Sequence, residues 1–303
     1  TVNAKWGNLQ AIVAGDFLLA RASGIAASLG NEIAGLLART IAELCEGQIE
    51  ELQHTYSVAR TVPSYLVSIE GKTASLFATS ARIGALVAGH DAPVVDALTN
   101  YGTSFGMVFQ IVDDILDVIA TDAELGKRAG HDMEEGVYTL PVLLTLAQQS
   151  SDTDELRSFL GKPLSQTERE RALAIVRTHS GIQSAIESAK NYVFMAEAEC
   201  NLMPQGVATD ALRAAPAALG ARRSAMARCS ERGASPVQRE PPTGRDGLAA
   251  RGDAAGGQQG AAHLQGQRRR WHQLHAGGPQ PGGRALPPDD GRIVGHPPRR
   301  ELA

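Results

Sequence analysis

Three aspartates, Asp113, Asp114 and Asp117, interrupt the otherwise apolar run from Phe105 to Asp117. Val108, Ile111, Val112, Ile115, Leu116 and Ile119 recur around them with helical spacing and form one broad apolar face. On that helix Asp113 and Asp117 stand one turn apart, roughly 5–6 Å from each other. Asp114 lies about 100° round the axis. Aspartate is a modest helix former, and like charges at this spacing repel. A divalent cation offsets that repulsion. Mg²⁺ in particular is held by one or two carboxylates, with its remaining positions left to water and substrate phosphates. An acidic patch on a solvated helix has the same pattern, so the other polar residues must decide.

The first of these is Gln110, directly before the aspartates. The second is Lys72-Thr73 within Glu70-Gly71-Lys72-Thr73-Ala74-Ser75-Leu76-Phe77. The third is the polar loop from Gly126 to Gly136, with Lys127, Arg128, His131 and Asp132. A lysine beside an apolar run commonly snorkels from the surface. Gly71, however, costs about 1 kcal/mol relative to alanine inside a helix, which implies a packing or functional reason for it. The Gly-Lys-Thr step is no P-loop, because the Gly-x-x-x-x-Gly spacing and a preceding strand are missing. His131 has no partner at i+4 and reads as a loop residue, not a metal ligand.

The positioning elements are all helical. Residues 3–22 read as a helix packing through Ile12, Phe17 and Leu19, with an interruption at Gly15-Asp16. Residues 31–56 form the next, using Ile33, Leu36, Leu37, Ile41 and Leu44. Its acidic end, Glu46-Gly47-Gln48-Ile49-Glu50-Glu51, reads as a solvated face. Pro63-Ser64 opens a helix over 64–88, and Asp91-Ala92-Pro93 caps the one that carries the aspartates to about Ile119. Pro141 lies in the first turn of a further apolar helix. Ser165 and Glu168 form a capping box, and Gly181 to about Met203 is a helix buried through Ile182, Ile186, Ala189, Tyr192, Val193 and Ala196. Residues 204–213 start a short terminal helix.

Phe109-Gln110 followed by Asp113-Asp114 and Asp117 resembles the second aspartate-rich motif of the trans-polyprenyl diphosphate synthases. Gly15-Asp16, Lys72-Thr73 and the Lys127 to Asp132 loop resemble further segments of that family in the same order. The resemblance covers about residues 1–214. It implies an all-α, isoprenoid-synthase-type helical bundle around a central cavity, incomplete at the N-terminus. It implies prenyl transfer: Mg²⁺ on Asp113, Asp114 and Asp117, and the diphosphate of an allylic substrate on Lys72 and Lys127. Thr73 and Gln110 would turn oxygens toward the allylic cation, which isopentenyl diphosphate then attacks. Gln110 and Asp132 belong to the same substrate site, and Gln48 falls where the family carries a polar cavity residue. The family's first aspartate-rich motif is not in the sequence, so weak Mg²⁺–diphosphate binding and little prenyl transfer are expected. Val137 stands where many members have a second loop lysine. A homodimer, or a heterodimer with a related subunit, is the implied assembly. A class I terpene synthase and a non-catalytic partner subunit are the alternatives.

Composition, with 4% aromatics and Ala and Leu dominant in the first two thirds, favours an all-helical core. The 303 residues are 43% hydrophobic and 20% charged with net charge −4, which gives no reason to expect nucleic acid. The three cysteines, Cys45, Cys200 and Cys229, show neither metal-ligand nor disulfide-framework spacing, which favours a reducing cytoplasm. No stretch of about 18 or more uncharged apolar residues occurs, so neither a spanning helix nor a stable membrane insertion is expected. Asp16 and Arg21 interrupt the first apolar segment, so no secretory signal is expected either. From residue 215 to 303 Gly, Pro, Arg and Ala take over and periodicity is lost. That composition buries too little apolar surface to fold, and the expectation is a disordered or frame-shifted tail.

Overall fold

The computed structural model describes residues 2–120 and 128–220, and no strand occurs among them. The helices are α1 (Val2–Trp6), α2 (Asn8–Ser28), α3 (Asn31–Gln53), α4 (Val62–Ile69), α5 (Ser75–Val87) and α6 (Ala92–Ile119). They continue with α7 (His131–Glu134), α8 (Leu140–Leu146), α9 (Ser151–Phe159), α10 (Gln166–Thr178), α11 (Gly181–Glu199) and α12 (Val207–Gly220). A π-helical turn, Glu70–Ala74, joins α4 to α5, and a 3₁₀ turn, Cys200–Leu202, follows α11.

The bundle is arranged around α6, which α5 and α11 flank along its length. Its apolar face is the one expected: Val108, Ile111, Val112 and Ile115 are buried, with Leu116 and Ile119 partly so. Asp91 starts α6 by accepting from the Val94 N–H, and Ser165 and Glu168 exchange both bonds of the expected capping box on α10. Gly106 lets α6 approach the π turn at backbone distance, since a Cβ there would sit 2.6 Å from Ala74 Cα. At a second crossing Gly47 of α3 lies against the backbone of Ser68 and Lys72, and Gly71 faces Gly47 and the Glu43 carbonyl. That is the packing reason for Gly71.

Several expectations are corrected. The helix expected over 64–88 is three elements, with the π turn inserted at Lys72-Thr73; such one-turn insertions occur frequently at functional sites. The break expected at Gly15-Asp16 is at Gly7 instead, where φ is +90°, and α2 runs through Gly15 uninterrupted. Ile12, Phe17 and Leu19 do not pack: they are exposed, as are Leu9, Val13, Leu18 and Ile25, and only Ala26 of α2 is buried. The helix is apolar on nearly every side, so helical spacing there marks no inward face. With 21 residues and a mean hydropathy of 1.3, α2 is also long and apolar enough to cross a membrane, because two charged residues do not outweigh its aliphatic content. His131 opens the short helix α7. The last described helix runs past the expected domain boundary at 214, so residues 215–220 continue α12 and carry Pro216 inside it. The remainder of the 215–303 segment lies outside the described residues.

Candidate active site

The π turn and the middle of α6 meet in one hydrogen-bonded line. The Thr73 hydroxyl donates to Gln110 Oε1 at 2.8 Å, and Gln110 Nε2 donates to Asp114 Oδ1 at 2.9 Å. The Tyr65 hydroxyl of α4 donates to the other oxygen, Asp114 Oδ2, at 2.6 Å. Helical spacing places Gln110 and Asp114 one turn apart on the same face of α6, and the Gly106 crossing brings Thr73 within reach of both.

Asp114 is 2% exposed, and burial pushes its carboxyl up to about 7, against the lowering effect of the Tyr65 and Gln110 hydrogen bonds. Asp132 raises it further, and Lys72 lowers it. Tyr65, also buried, is raised well above the ordinary phenol range by its burial and by Asp114. The Arg60 guanidinium lies over the Tyr65 ring, 5.6 Å from its centroid, and donates through Nη1 to the Tyr138 carbonyl at 3.2 Å. Burial lowers the Arg60 pKa, opposed by Glu51, Tyr65, Asp114 and Glu50 in that order.

The three aspartates of the motif do not share one environment. Asp113 is exposed. Asp117 is buried and fastens the following segment, its Oδ2 accepting from the Asp132 N–H at 3.3 Å and its carbonyl from the Gly130 N–H at 2.7 Å. Asp132, at the start of α7, is thereby brought to the aspartate motif. Lys127 lies outside the described residues.

Lys72 sits beside this line but is held by a residue assigned above to a solvated face. Its Nζ is 2.5 Å from Glu51 Oε2, and Gln48 Nε2 donates to Glu51 Oε1 at 3.3 Å. Glu51 is buried, so it is no part of a solvated acidic surface. Glu51, Tyr65 and Arg60 are the site residues missed in the sequence. A signal existed for Tyr65, which lies seven residues, two helical turns, before Lys72.

Among the described residues no three His, Cys, Asp or Glu side chains converge as a ready-made metal cage. Mg²⁺ does not need one: it keeps several waters and takes one or two carboxylates plus substrate phosphates. An exposed hard-oxygen donor at Asp113 fits that requirement.

Comparison with known proteins shows the family. The polyprenyl synthetase family model matches residues 1–176. The chain belongs to the polyprenyl synthetase family. It is 37% identical over 205 residues to a nonaprenyl diphosphate synthase of Mycobacterium tuberculosis, covering 67% of this chain and 61% of the relative. It is 45% identical over 150 residues to heptaprenyl diphosphate synthase component 2 of Geobacillus stearothermophilus, covering 49% and 47%. Among solved structures, heptaprenyl diphosphate synthase from Staphylococcus aureus superposes with a TM-score of 0.69 at 29% identity, covering 73% of this chain and 70% of that one. A polyprenyl synthase from Caulobacter crescentus, complexed with calcium and isoprenyl diphosphate, gives 0.69 at 30% identity, covering 73% and 68%. This polyprenyl synthetase family member thus spans about half to two thirds of the curated relatives it matches.

The Lys72–Glu51 pair yields a stability prediction. Lys72→Met leaves a buried carboxylate without its cation and is expected to cost about 1–3 kcal/mol in urea unfolding. Lys72→Met with Glu51→Leu removes both charges and is expected to recover most of that loss. A double variant no more stable than the single one contradicts the pairing.

Proposed function

We propose that this chain is a Mg²⁺-dependent prenyltransferase that condenses isopentenyl diphosphate with an allylic diphosphate to lengthen an isoprenoid chain of medium or long type, such as a quinone side chain. The observation that carries the reading is the line Thr73–Gln110–Asp114, whose two ends adjoin Lys72 and the exposed Asp113 in sequence. Family membership supports it, as do the names of the relatives.

In this reading Asp113 offers the outward carboxylate for Mg²⁺, with Asp117 behind it holding the Asp132 segment in place. When bound, the metal neutralises charge that gathers on the departing diphosphate. Lys72 is released from Glu51 to the diphosphate, aided by Lys127. The allylic C–O bond breaks, and its electron pair leaves with the diphosphate. Thr73 and Gln110, fixed in advance, turn oxygen dipoles toward the allylic cation, which is electrostatic stabilisation without reorganisation. The double bond of isopentenyl diphosphate attacks the cation, and loss of a proton gives a product one isoprene unit longer. No side chain needs to bond covalently to substrate. The free cysteines Cys45 and Cys200 are compatible with work in the reducing cytoplasm.

The exposed apolar α2 supports self-association or pairing with a related subunit, since contiguous apolar surface of this kind marks an interaction site. A relative named as a component of its synthase supports the same reading.

Two measurements test the proposal. Mg²⁺ with an allylic diphosphate at 100 times its Kd is expected to stabilise the full chain by about 2.7 kcal/mol. Asp113→Ala is expected to abolish that gain, and a wild-type chain with no gain overturns the reading. In sedimentation, Leu18→Glu is expected to convert dimer to monomer. A wild-type chain that is monomeric in buffer and pellets with lipid vesicles would show instead that α2 meets a membrane.

A further inference from the structure

Asp114 differs from its neighbours in the motif in what already occupies it. Both carboxylate oxygens accept hydrogen bonds, one from Tyr65 and one from Gln110, and the side chain is almost wholly enclosed. Charge-assisted bonds of this kind offset the cost of burying a carboxylate, and the enclosure leaves little of the group open to a metal ion. Asp113, one residue earlier, is exposed and carries no such constraint.

We propose that Asp114, anchored by Tyr65, is a positioning residue that fixes which way round the Gln110 amide sits and, through it, where the Thr73 proton points. The argument is one of donors and acceptors. In its ionised form Asp114 only accepts, so the end of the Gln110 amide that faces it is the NH₂ group, as the Nε2 to Oδ1 bond shows. The carbonyl oxygen is therefore turned toward Thr73 and takes that residue's single hydroxyl proton. The Thr73 oxygen is left with lone pairs alone for the side away from Gln110. With the amide reversed, Thr73 would accept from NH₂ and aim its own proton elsewhere, placing a donor where an oxygen should face positive charge. Successive bonds along such a chain polarise one another in the same sense. Tyr65 is itself held: its ring is buried, Arg60 covers it, and Arg60 is tied to the Tyr138 carbonyl.

The purpose of this arrangement, presenting oxygen to an allylic cation, rests on the prenyl-transfer reading; the geometry does not. The test therefore has two arms on the full chain. In the first, the side-chain amide of Gln110 is identified by ¹⁵N NMR from its loss in Gln110→Ala, and its hydrogen exchange is measured. It is expected to exchange at least about tenfold more slowly than the exposed Gln166 and Gln183, and about tenfold faster in Tyr65→Phe than in wild type. Exchange of Gln110 as fast as those exposed glutamines in wild type overturns the proposal, and so does an unchanged rate in a folded Tyr65→Phe. In the second arm, Mg²⁺-dependent affinity for an allylic diphosphate is measured by calorimetry. Asp113→Asn is expected to lower it by about tenfold or more, whereas Asp114→Asn keeps it within about threefold. Equal losses in the two variants assign Asp114 to the metal and overturn the proposal. Absence of any binding by wild type removes the prenyl-transfer reading, while the exchange arm still decides the positioning role.

Discussion

A carboxylate buried in the middle of a long apolar helix constrains everything near it. Asp114 cannot remain inside α6 without donors on both oxygens, and Gln110 on the same helix supplies only one of them. The other must come from a neighbouring element, and Tyr65 brings α4 to that point. Once α4 is fixed, the π turn that follows it is fixed as well, and Thr73 arrives opposite Gln110. Gly106 makes the approach sterically possible, since any side chain there would meet the backbone at Ala74. The hydrogen-bond requirement and the close crossing therefore act as one constraint, and the polar line across the site is its result.

The same turn carries a second charge problem. Lys72 and Glu51 face each other where α3 and the π turn cross at Gly47 and Gly71, with both side chains largely out of solvent. A buried ion pair is no reliable source of stability, because desolvation of two ions opposes their attraction. Its consequence here is a lysine held in place at the edge of the site. A diphosphate has more charge than Glu51 and sets against it a stronger competing partner.

The parts legible in sequence were those governed by local chemistry. Periodicity located the buried face of α6. Asp91, Ser165 with Glu168, and Pro141 marked helix starts through their own side chains. Gln110, Lys72 and Thr73 were recognisable because their types and order match a known motif. The parts that were not legible depend on contacts across the chain. Glu51 looks like any other residue of a solvated acidic run until α3 is placed against Lys72. The distinct environments of Asp113, Asp114 and Asp117 follow from which elements cover α6, and identical residue types give no warning of that. For α2 the failure is of another kind: a helix apolar on nearly every side has no amphipathic signal to say which residues it buries.

The central claim is that Tyr65 and Gln110 act together on one buried carboxylate. A double-mutant cycle in urea unfolding, combining Tyr65→Phe with Gln110→Leu, measures this directly. Residues that share a partner are expected to be coupled by about 0.5–3 kcal/mol, so the double variant should depart from the sum of the single losses by that amount. Losses that add within about 0.3–0.5 kcal/mol would mean that the two residues act independently, and that Asp114 does not organise the site.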